Sequence, residues 1–171
     1  MSNQVFEAAR TILAVREFDG RPVPDDAIHR VVESAHLTAS SQNRQPWCFV
    51  VVREPEGLRR LGELVRTGPY TAEAAFAIVV AYEKASRFGI SDASRAIQSM
   101  MLTAWAEGIG SNWTGFAGMD EVGRAFGIPD SFEVCAVLPF GYPKRRLGLG
   151  RKNRKPLGEV AFTERFGQPF S

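Results

Sequence analysis

The 171-residue sequence is poor in the residue types that carry metal or nucleophilic chemistry. It contains two cysteines, Cys48 and Cys135, and two histidines, His29 and His36. The cysteines match neither a metal-ligand spacing nor a disulfide framework, so two free thiols in a reducing compartment are expected. The histidines lie on one predicted helix with no ligand pattern beside them. No metal site is predicted, and a surface or packing role is expected for both histidines.

Long apolar runs and an excess of one charge are missing too. The net charge is +2, which is too small to indicate a nucleic-acid partner. The longest apolar run, "AAFAIVVAY", is too short to cross a bilayer. The start, "MSNQVFEAARTIL", lacks a basic region followed by an apolar run, so no secretory signal is predicted. We therefore expect a cytoplasmic protein that binds neither membrane nor nucleic acid.

The common catalytic motifs are absent from the sequence as well. There is no G-x-S-x-G, no H-E-x-x-H and no phosphate-binding P-loop. The "GRAFG" that begins at Gly123 lies inside a predicted helix, where it cannot form a dinucleotide-binding turn. With both histidines on one helix, a Ser-His-Asp site is improbable. This pattern favours a bound organic cofactor that supplies the chemistry while the protein positions it.

The apolar periodicity predicts one α+β domain over residues 1–171, with a sheet of at least three strands packed by helices. Helices are predicted over 3–14, 54–65 and 120–126, and strands over 47–53, 75–82 and 133–138. Asp25 is predicted to cap a further helix, and Ser91 or Asp92 to cap the longest one, which ends at Gly108 and Gly110. The order of the strands is not predicted.

Three polar segments interrupt this pattern and are the candidate binding regions: "ASSQNRQPWCFVVV", "GSNWTGF" and the basic "GYPKRRLGLGRKNRKPLGEV". Together with "VREFDGRPVPDDAIHRVVESA" they resemble the FMN-dependent nitroreductase family, at the compact end of its size range. The S-x-N-x-Q-P-W loop and the late K-x-R-x-P segment, in this order, carry most of the resemblance. It implies an α+β sandwich with a central mixed, mostly antiparallel sheet packed by helices. It also implies an obligate homodimer with FMN at each subunit interface.

For the serine-rich segment, the resemblance implies that Ser40, Ser41 and Asn43 of one subunit reach the flavin held mainly by the other. The alternative is a hydroxyl-stabilised turn before a strand, which explains two of these residues but not the whole cluster. In "GSNWTGF", the backbone of Thr114 and Gly115 matches the loop that donates an N–H to the reactive ring nitrogen. Trp113 is interpreted as either core or pocket wall.

For the basic segment, the resemblance assigns Lys152 and Arg154 to the flavin phosphate. Their alternative is a solvated basic loop. The family also opens with Arg-x-Ser-x-Arg/Lys, which here reads "ILAVR". Ile12 and Ala14 replace the first two members, and Arg16 remains, as the candidate to stabilise the charge of reduced flavin. The two losses could cost about 2–4 kcal/mol of FMN affinity.

That departure leaves several outcomes open. Other cations could compensate, namely Lys144, Arg145, Arg146 or Arg151, or the site could bind FMN loosely or take another flavin-like ligand. The expected activity is the ping-pong transfer of electrons from NAD(P)H through FMN to a small electron-poor acceptor such as a nitroaromatic or quinone. Alternatives are a flavin- or deazaflavin-binding module with little turnover, an enzyme that acts on the flavin itself, and an interaction protein.

The last fifteen residues are predicted to form a C-terminal extension, 157–171, that packs on the partner subunit. This extension carries Phe162, Phe166 and Phe170 beyond the last predicted core element. Large exposed patches of apolar side chains on soluble proteins mark interaction sites. We therefore expect them in the interface of a homodimer.

Overall fold

The structure, a computed structural model, describes residues 3–115, 118–145, 147 and 152–170. Within these ranges it contains five α-helices and four β-strands. The helices are α1 (Gln4–Thr11), α2 (Asp25–His36), α3 (Pro55–Leu64), α4 (Gly89–Ala106) and α5 (Met119–Ala125). The strands are β1 (Trp47–Val52), β2 (Phe76–Glu83), β3 (Gly110–Ser111) and β4 (Phe132–Gly141). Short 3-10 turns cover Ser41–Asn43, Pro69–Glu73 and Leu157–Glu159.

The four strands form one sheet in the order β1-β2-β4-β3, and every neighbouring pair is antiparallel. A parallel bridge between Ala14 and Ser111 extends the sheet beyond β3 and makes it mixed. Residues 76–81 of β2 are buried, because this strand is central and covered on both faces. The predicted α+β fold with a mixed, mostly antiparallel sheet is confirmed.

Helices cover both faces of the sheet. On one face α2 and α4 pack together, and Val31, Ile97 and Met100 lie in a core shared with alternate residues of β2 and β4. On the other face Leu61 of α3 and Val122 of α5 pack on the remaining residues of those strands. The period-two alternation of the strands therefore divides their apolar side chains between two cores.

The starts and ends of three helices differ from the prediction. α1 stops at Thr11 rather than at residue 14, because the chain turns extended and Val15 N–H donates to Ser111 O at 2.9 Å. Asp25 is the first residue of α2 rather than its cap, and its carboxylate pairs with Arg53. α4 begins at Gly89, so neither Ser91 nor Asp92 is its cap.

β4 is longer than predicted and contains Pro139. The register that pairs Ser111 with Phe140 also pairs Thr114 with Val137 and therefore places Asn112 opposite Pro139. Proline has no N–H to donate across that pair. The ladder between β4 and the 110–114 segment is interrupted there, which leaves β3 only two residues long.

Candidate functional site

The serine–asparagine loop, residues 40–45, is held in shape by its own polar groups. Ser40 Oγ accepts from Gln45 N–H at 2.9 Å, and Asn43 N–H donates to Ser40 O at 3.0 Å. Gln42, Asn43 and Gln45 all have φ between 52° and 54°, a region that costs energy for residues other than glycine. The hydroxyl-stabilised turn, which was the alternative interpretation of this segment, is therefore present, while the Asn43 side chain remains exposed.

The loop is fastened to the first turn of α4 by a buried carboxylate. Ser41 N–H donates to both oxygens of Asp92, at 3.2 and 3.1 Å, and Arg95 pairs with the same carboxylate. Asp92 is 1% exposed. Sequence reasoning missed this role because it placed Asp92 at a helix cap, and no local pattern connects residues 41 and 92.

The tryptophan–glycine loop, residues 113–115, runs beside β4. Thr114 is buried and its N–H donates to Val137 O at 3.0 Å, so that amide is already used by the sheet. Gly115 N–H has a longer partner, Thr67 Oγ1 at 3.4 Å. Gly115 has φ +102°, and a Cβ there would come within 2.6 Å of Met119 Sδ. Of the two predicted amide donors, Gly115 is thus the one that a ligand can compete for.

Polar groups that the sequence did not indicate support this loop. The hydroxyls of Thr67 and Thr114 are 3.2 Å apart, and Asn112 Nδ2 donates to Tyr70 OH at 2.5 Å. Trp113 is half-buried against the α2–α4 core, so the structure favours the core interpretation for most of its ring. Its indole N–H is buried and has no hydrogen-bond partner among the described residues.

The name basic cluster is used for Arg16, which follows α1 in the sequence, together with Lys152 and Arg154 of the late basic segment. Lys152 Nζ donates to Ala9 O at 2.6 Å, which brings the late basic segment onto the first helix. Burial lowers the pKa of the Lys152 ammonium, and the nearby charge of Arg154 lowers it further. Arg154 is exposed and its guanidinium donates to the Asn153 carbonyl at 3.1 Å.

Arg16 is exposed beside a cleft of about 310 Å³. Arg145 lines the same cleft and pairs loosely with Glu17 at 3.5 Å, with both side chains mostly exposed. Lys144 donates its backbone N–H to Glu17 O. Two of the four predicted compensating cations, Arg146 and Arg151, lie outside the described residues.

The serine–asparagine loop and the basic cluster lie at opposite ends of α4. Asp92, near the start of this helix, holds Ser41, whereas Trp105, near its end, donates its indole N–H to Thr11 Oγ1 at 2.9 Å. Thirteen residues of helix separate these two contacts by about 20 Å. Within one chain the structure therefore does not bring Ser40, Ser41 and Asn43 to the basic cluster.

A second cleft, of about 540 Å³, opens beside Gly115 and is lined by Tyr82, Ile90, Met119 and Cys135 among others. Burial raises the pKa of the Cys135 thiol to about 12 and that of the Tyr82 hydroxyl to about 12. Both groups are therefore protonated near neutral pH, and Cys135 is a poor nucleophile. The cleft is suited to binding rather than to covalent catalysis.

The described residues lack two further kinds of feature, a metal-binding cluster and a membrane-spanning helix. They contain no group of three or more His, Cys, Asp or Glu side chains that could hold a metal ion. None of their helices combines the length and the apolar character that a membrane span requires.

The chain matches the model of the Nitroreductase family over residues 9–83 and 67–142. Together the two segments cover more than half of the sequence and include the serine–asparagine and tryptophan–glycine loops. The chain therefore belongs to the Nitroreductase family, and the resemblance that the motifs indicated is confirmed.

Individual relatives agree with this assignment. A protein of Methanothermobacter thermautotrophicus, provisionally named NADH dehydrogenase/NAD(P)H nitroreductase, is 32% identical over 152 residues, which cover 84% of this chain and 80% of the relative. A crystal structure of a similarly named protein from Parabacteroides distasonis has a TM-score of 0.86 at 27% identity, covering 94% of this chain and 98% of that one. A solved oxidoreductase described as containing FMN has a TM-score of 0.83 at 26% identity, covering 98% and 94%. The chain is an oxidoreductase of this family.

Proposed function

We propose that the protein is an FMN-dependent NAD(P)H oxidoreductase that acts on small electron-poor acceptors. When bound, FMN would supply the chemistry by taking a hydride from NAD(P)H and passing electrons to a nitroaromatic or quinone. The names of the relatives support the reductant and the acceptor class, and the solved FMN-containing oxidoreductase supports the cofactor. The residues of this chain bind, orient and shield that cofactor.

The observation that carries the proposal is the set of donors around residues 113–115. Gly115 N–H is held only by a long contact of 3.4 Å, and Trp113 Nε1–H is a buried donor with no partner among the described residues. A buried donor without a partner costs about 1–3 kcal/mol. A flavin ring offers a nitrogen and two carbonyl oxygens that can accept from Gly115 N–H, and Gly115 lines the cleft of about 540 Å³, so this loop supports the proposal.

The basic cluster fits the other end of the cofactor. Arg16 and Arg154 are exposed, and neither is engaged with a carboxylate in the described residues. A phosphate monoester would accept charge-assisted bonds from Lys152 and Arg154, each worth about 1.5–3 kcal/mol. Arg16 would add positive charge beside the bound cofactor.

Within one chain the serine–asparagine loop and the basic cluster lie at opposite ends of α4, about 20 Å apart. This distance supports a homodimer in which the two halves of each site come from different chains. The serine–asparagine loop of one subunit would complete the site built by the basic cluster and the tryptophan–glycine loop of the other. Large apolar side chains are exposed near both ends of α4 and in the segment 157–170. They are Val5, Phe6, Leu37, Phe88, Ile90, Leu157, Val160, Phe166 and Phe170. Burial of these groups in an interface would remove them from water.

The C-terminal extension is part of this proposal. Phe162 pairs with Pro169 in an isolated bridge, and its ring lies 4.6 Å from that of Phe166, which is 92% exposed. The segment is thus folded on itself but offers an aromatic surface. We propose that Phe162, Phe166 and Phe170 pack against the partner subunit. Light scattering that gives a monomer mass at micromolar concentration would contradict the dimer.

The test of the cofactor is optical. The purified protein should be yellow or should become so with added FMN, and NAD(P)H should bleach the visible bands until an acceptor restores them. A colourless protein that does not quench FMN fluorescence would exclude the proposal. FMN bound without bleaching would favour the second candidate, a flavin-binding module with little turnover, which the replacement of the family arginine and serine by Ile12 and Ala14 supports.

The test of the shared site uses mixed dimers of two differently tagged variants. Asn43→Gly removes the side-chain amide of residue 43, and glycine readily adopts the φ of +53° found there. Arg154→Ala removes one cation of the basic cluster. If each site takes its loop from one chain and its cluster from the other, the mixed dimer has one intact site and one doubly damaged site. Half of the sites should then bind FMN with wild-type affinity. If both halves come from one chain, no site is intact and no tight binding returns.

A further inference from the structure

The contact between Asp92 and Ser41 connects the serine–asparagine loop to α4. The carboxylate is buried, and a buried carboxylate is costly unless it is paired and hydrogen-bonded. Here Arg95 pairs with it and Ser41 N–H donates to both of its oxygens. The contact with the loop therefore supplies part of the compensation that the buried carboxylate needs, and Arg95 of the same helix supplies the rest.

The loop needs such support because its backbone is unfavourable. Three of its six residues adopt left-handed φ without being glycine, and residues of this kind persist only where the surroundings hold them in place. The hydrogen bonds of Ser40 and Asn43 close the loop on itself but do not fix it relative to the helix. The Asp92 contact does so across 51 residues of sequence.

We propose that Asp92 is a positioning residue, which holds the serine–asparagine loop in the shape that meets the flavin of the partner subunit. The inference rests on the proposed function, because it requires that the loop contact a flavin. It goes beyond that proposal by assigning the role to a residue that itself touches no ligand. Its effect should pass through Ser41 and should therefore appear at the partner's site.

The first experiment needs no flavin. Asp92→Ala should accelerate amide exchange at Ser41, measured by NMR, by about tenfold or more relative to wild type. Asp92→Asn retains one acceptor oxygen and should keep most of the protection. Glu107→Ala removes a carboxylate that pairs with Arg30 at the far end of α4 and should leave Ser41 unchanged. If Asp92→Ala does not fold, Asp92→Ser serves, because its hydroxyl is too short to reach Ser41.

The second experiment measures FMN affinity by fluorescence quenching. Asp92→Ala should weaken binding by about tenfold or more, Asp92→Asn by less than about threefold, and Glu107→Ala not at all. Unchanged affinity in a folded Asp92→Ala or Asp92→Ser protein overturns the inference. An equal loss of FMN affinity in Asp92→Asn also overturns the inference, because asparagine keeps an oxygen that can accept Ser41 N–H and should therefore still position the loop.

The third experiment separates this inference from the proposed function. In mixed dimers, Asp92→Ala should behave as a loop variant: paired with Arg154→Ala it restores one tight site, and paired with Asn43→Gly it restores none. If Asn43→Gly and Arg154→Ala complement each other but Asp92→Ala and Arg154→Ala do not, the shared site stands and the role of Asp92 is wrong. If Asn43→Gly and Arg154→Ala fail to complement, the shared site itself is wrong.

Discussion

The two ends of α4 carry two parts of the candidate site that are built in opposite ways. At its start, the serine–asparagine loop is closed by Ser40 and held by the buried Asp92. At its end, the basic cluster consists of exposed or partly exposed cations, with Arg154 bonded to the Asn153 carbonyl and Lys152 to the Ala9 carbonyl. One end is organised before any ligand arrives, and the other presents charge to the solvent.

This difference indicates how the two ends contribute to binding. A pre-organised loop loses little conformational freedom when a ligand binds, so it contributes shape and selectivity. Long cationic side chains in water lose rotamer freedom on binding but supply strong charge-assisted bonds to a phosphate. Changes at the basic end should therefore alter affinity, and changes at the loop end should alter stability as well.

The largest effect is expected from Arg154→Ala at the basic end. Because Ile12 and Ala14 offer no hydrogen bond to a phosphate, Lys152 and Arg154 should carry most of the remaining interaction. The substitution should weaken FMN binding by about 30- to 150-fold, or about 2–3 kcal/mol. Fluorescence quenching at fixed ionic strength measures this loss.

Arg145→Ala is the matched control for that substitution, because Arg145 is also an exposed cation near Arg16 but already pairs with Glu17. It should reduce FMN affinity by less than about threefold. Equal losses from Arg145→Ala and Arg154→Ala would mean that the basic segment acts only as a diffuse positive field.

The second effect is a gain, expected from the double variant Ile12→Arg, Ala14→Ser. Ala14 is exposed at the cleft beside Arg16, and Ile12, the first residue after α1, is only partly buried. Restoring a charged and a neutral contact should tighten FMN binding by about tenfold. Gln4→Arg adds the same charge to an exposed face of α1 and should change little. A weaker complex in a folded double variant would contradict the assigned register.

The third effect separates stability from affinity. Ser40→Ala leaves Gln45 N–H without its acceptor and should lower the free energy of unfolding by about 1 kcal/mol without flavin. Arg154→Ala should stay within about 0.5 kcal/mol of wild type, because its side chain is exposed. Chemical denaturation of the flavin-free proteins gives both values. If Arg154→Ala destabilises the fold as much as Ser40→Ala does, the contrast between the two ends is wrong.

The smallest effect is expected at Thr67, which contacts the tryptophan–glycine loop. Its hydroxyl accepts Gly115 N–H at 3.4 Å, a length at which a hydrogen bond is weak. Thr67→Val removes this competitor for the amide and should tighten FMN binding by up to about threefold, whereas Thr67→Ser should match wild type. A tenfold loss of FMN affinity in Thr67→Val would contradict this. It would show that the contact between the Thr67 and Thr114 hydroxyls supports binding more than the Thr67 hydroxyl hinders it by accepting Gly115 N–H.

Local pattern predicted most of the secondary structure but not its ends. The continuous apolar run of residues 75–82 identified the central strand, and the apolar stripes identified the helices. Pairing between distant segments shifted the boundaries: the 110–114 segment drew residues 14 and 15 out of α1, and it also paired with the end of β4 beyond Pro139. Periodicity does not contain such pairings, because they depend on which elements become neighbours.

The candidate site likewise has a part that the sequence predicts and a part that only the structure shows. The short polar motifs that contain Ser40, Asn43, Lys152 and Arg154, together with other segments of the sequence, indicated the family, and the match over residues 9–83 and 67–142 confirms it. Their assignment to a cofactor remains a prediction. The supporting residues, Asp92, Thr67 and Tyr70, could not be found from the sequence, because their partners lie 42 to 51 residues away.

The sequence by itself determined an α+β protein of the Nitroreductase family with three polar segments set between its core elements. This information is local: apolar period selects helix or strand, and short polar motifs have recognisable spacing. Only the tertiary structure decided that two of these segments lie about 20 Å apart along α4, and that Asp92 is a buried partner of Ser41 rather than a helix cap. The physical reason is that burial and long-range hydrogen bonding follow from how helices pack on a sheet, and the same local sequence is compatible with many packings.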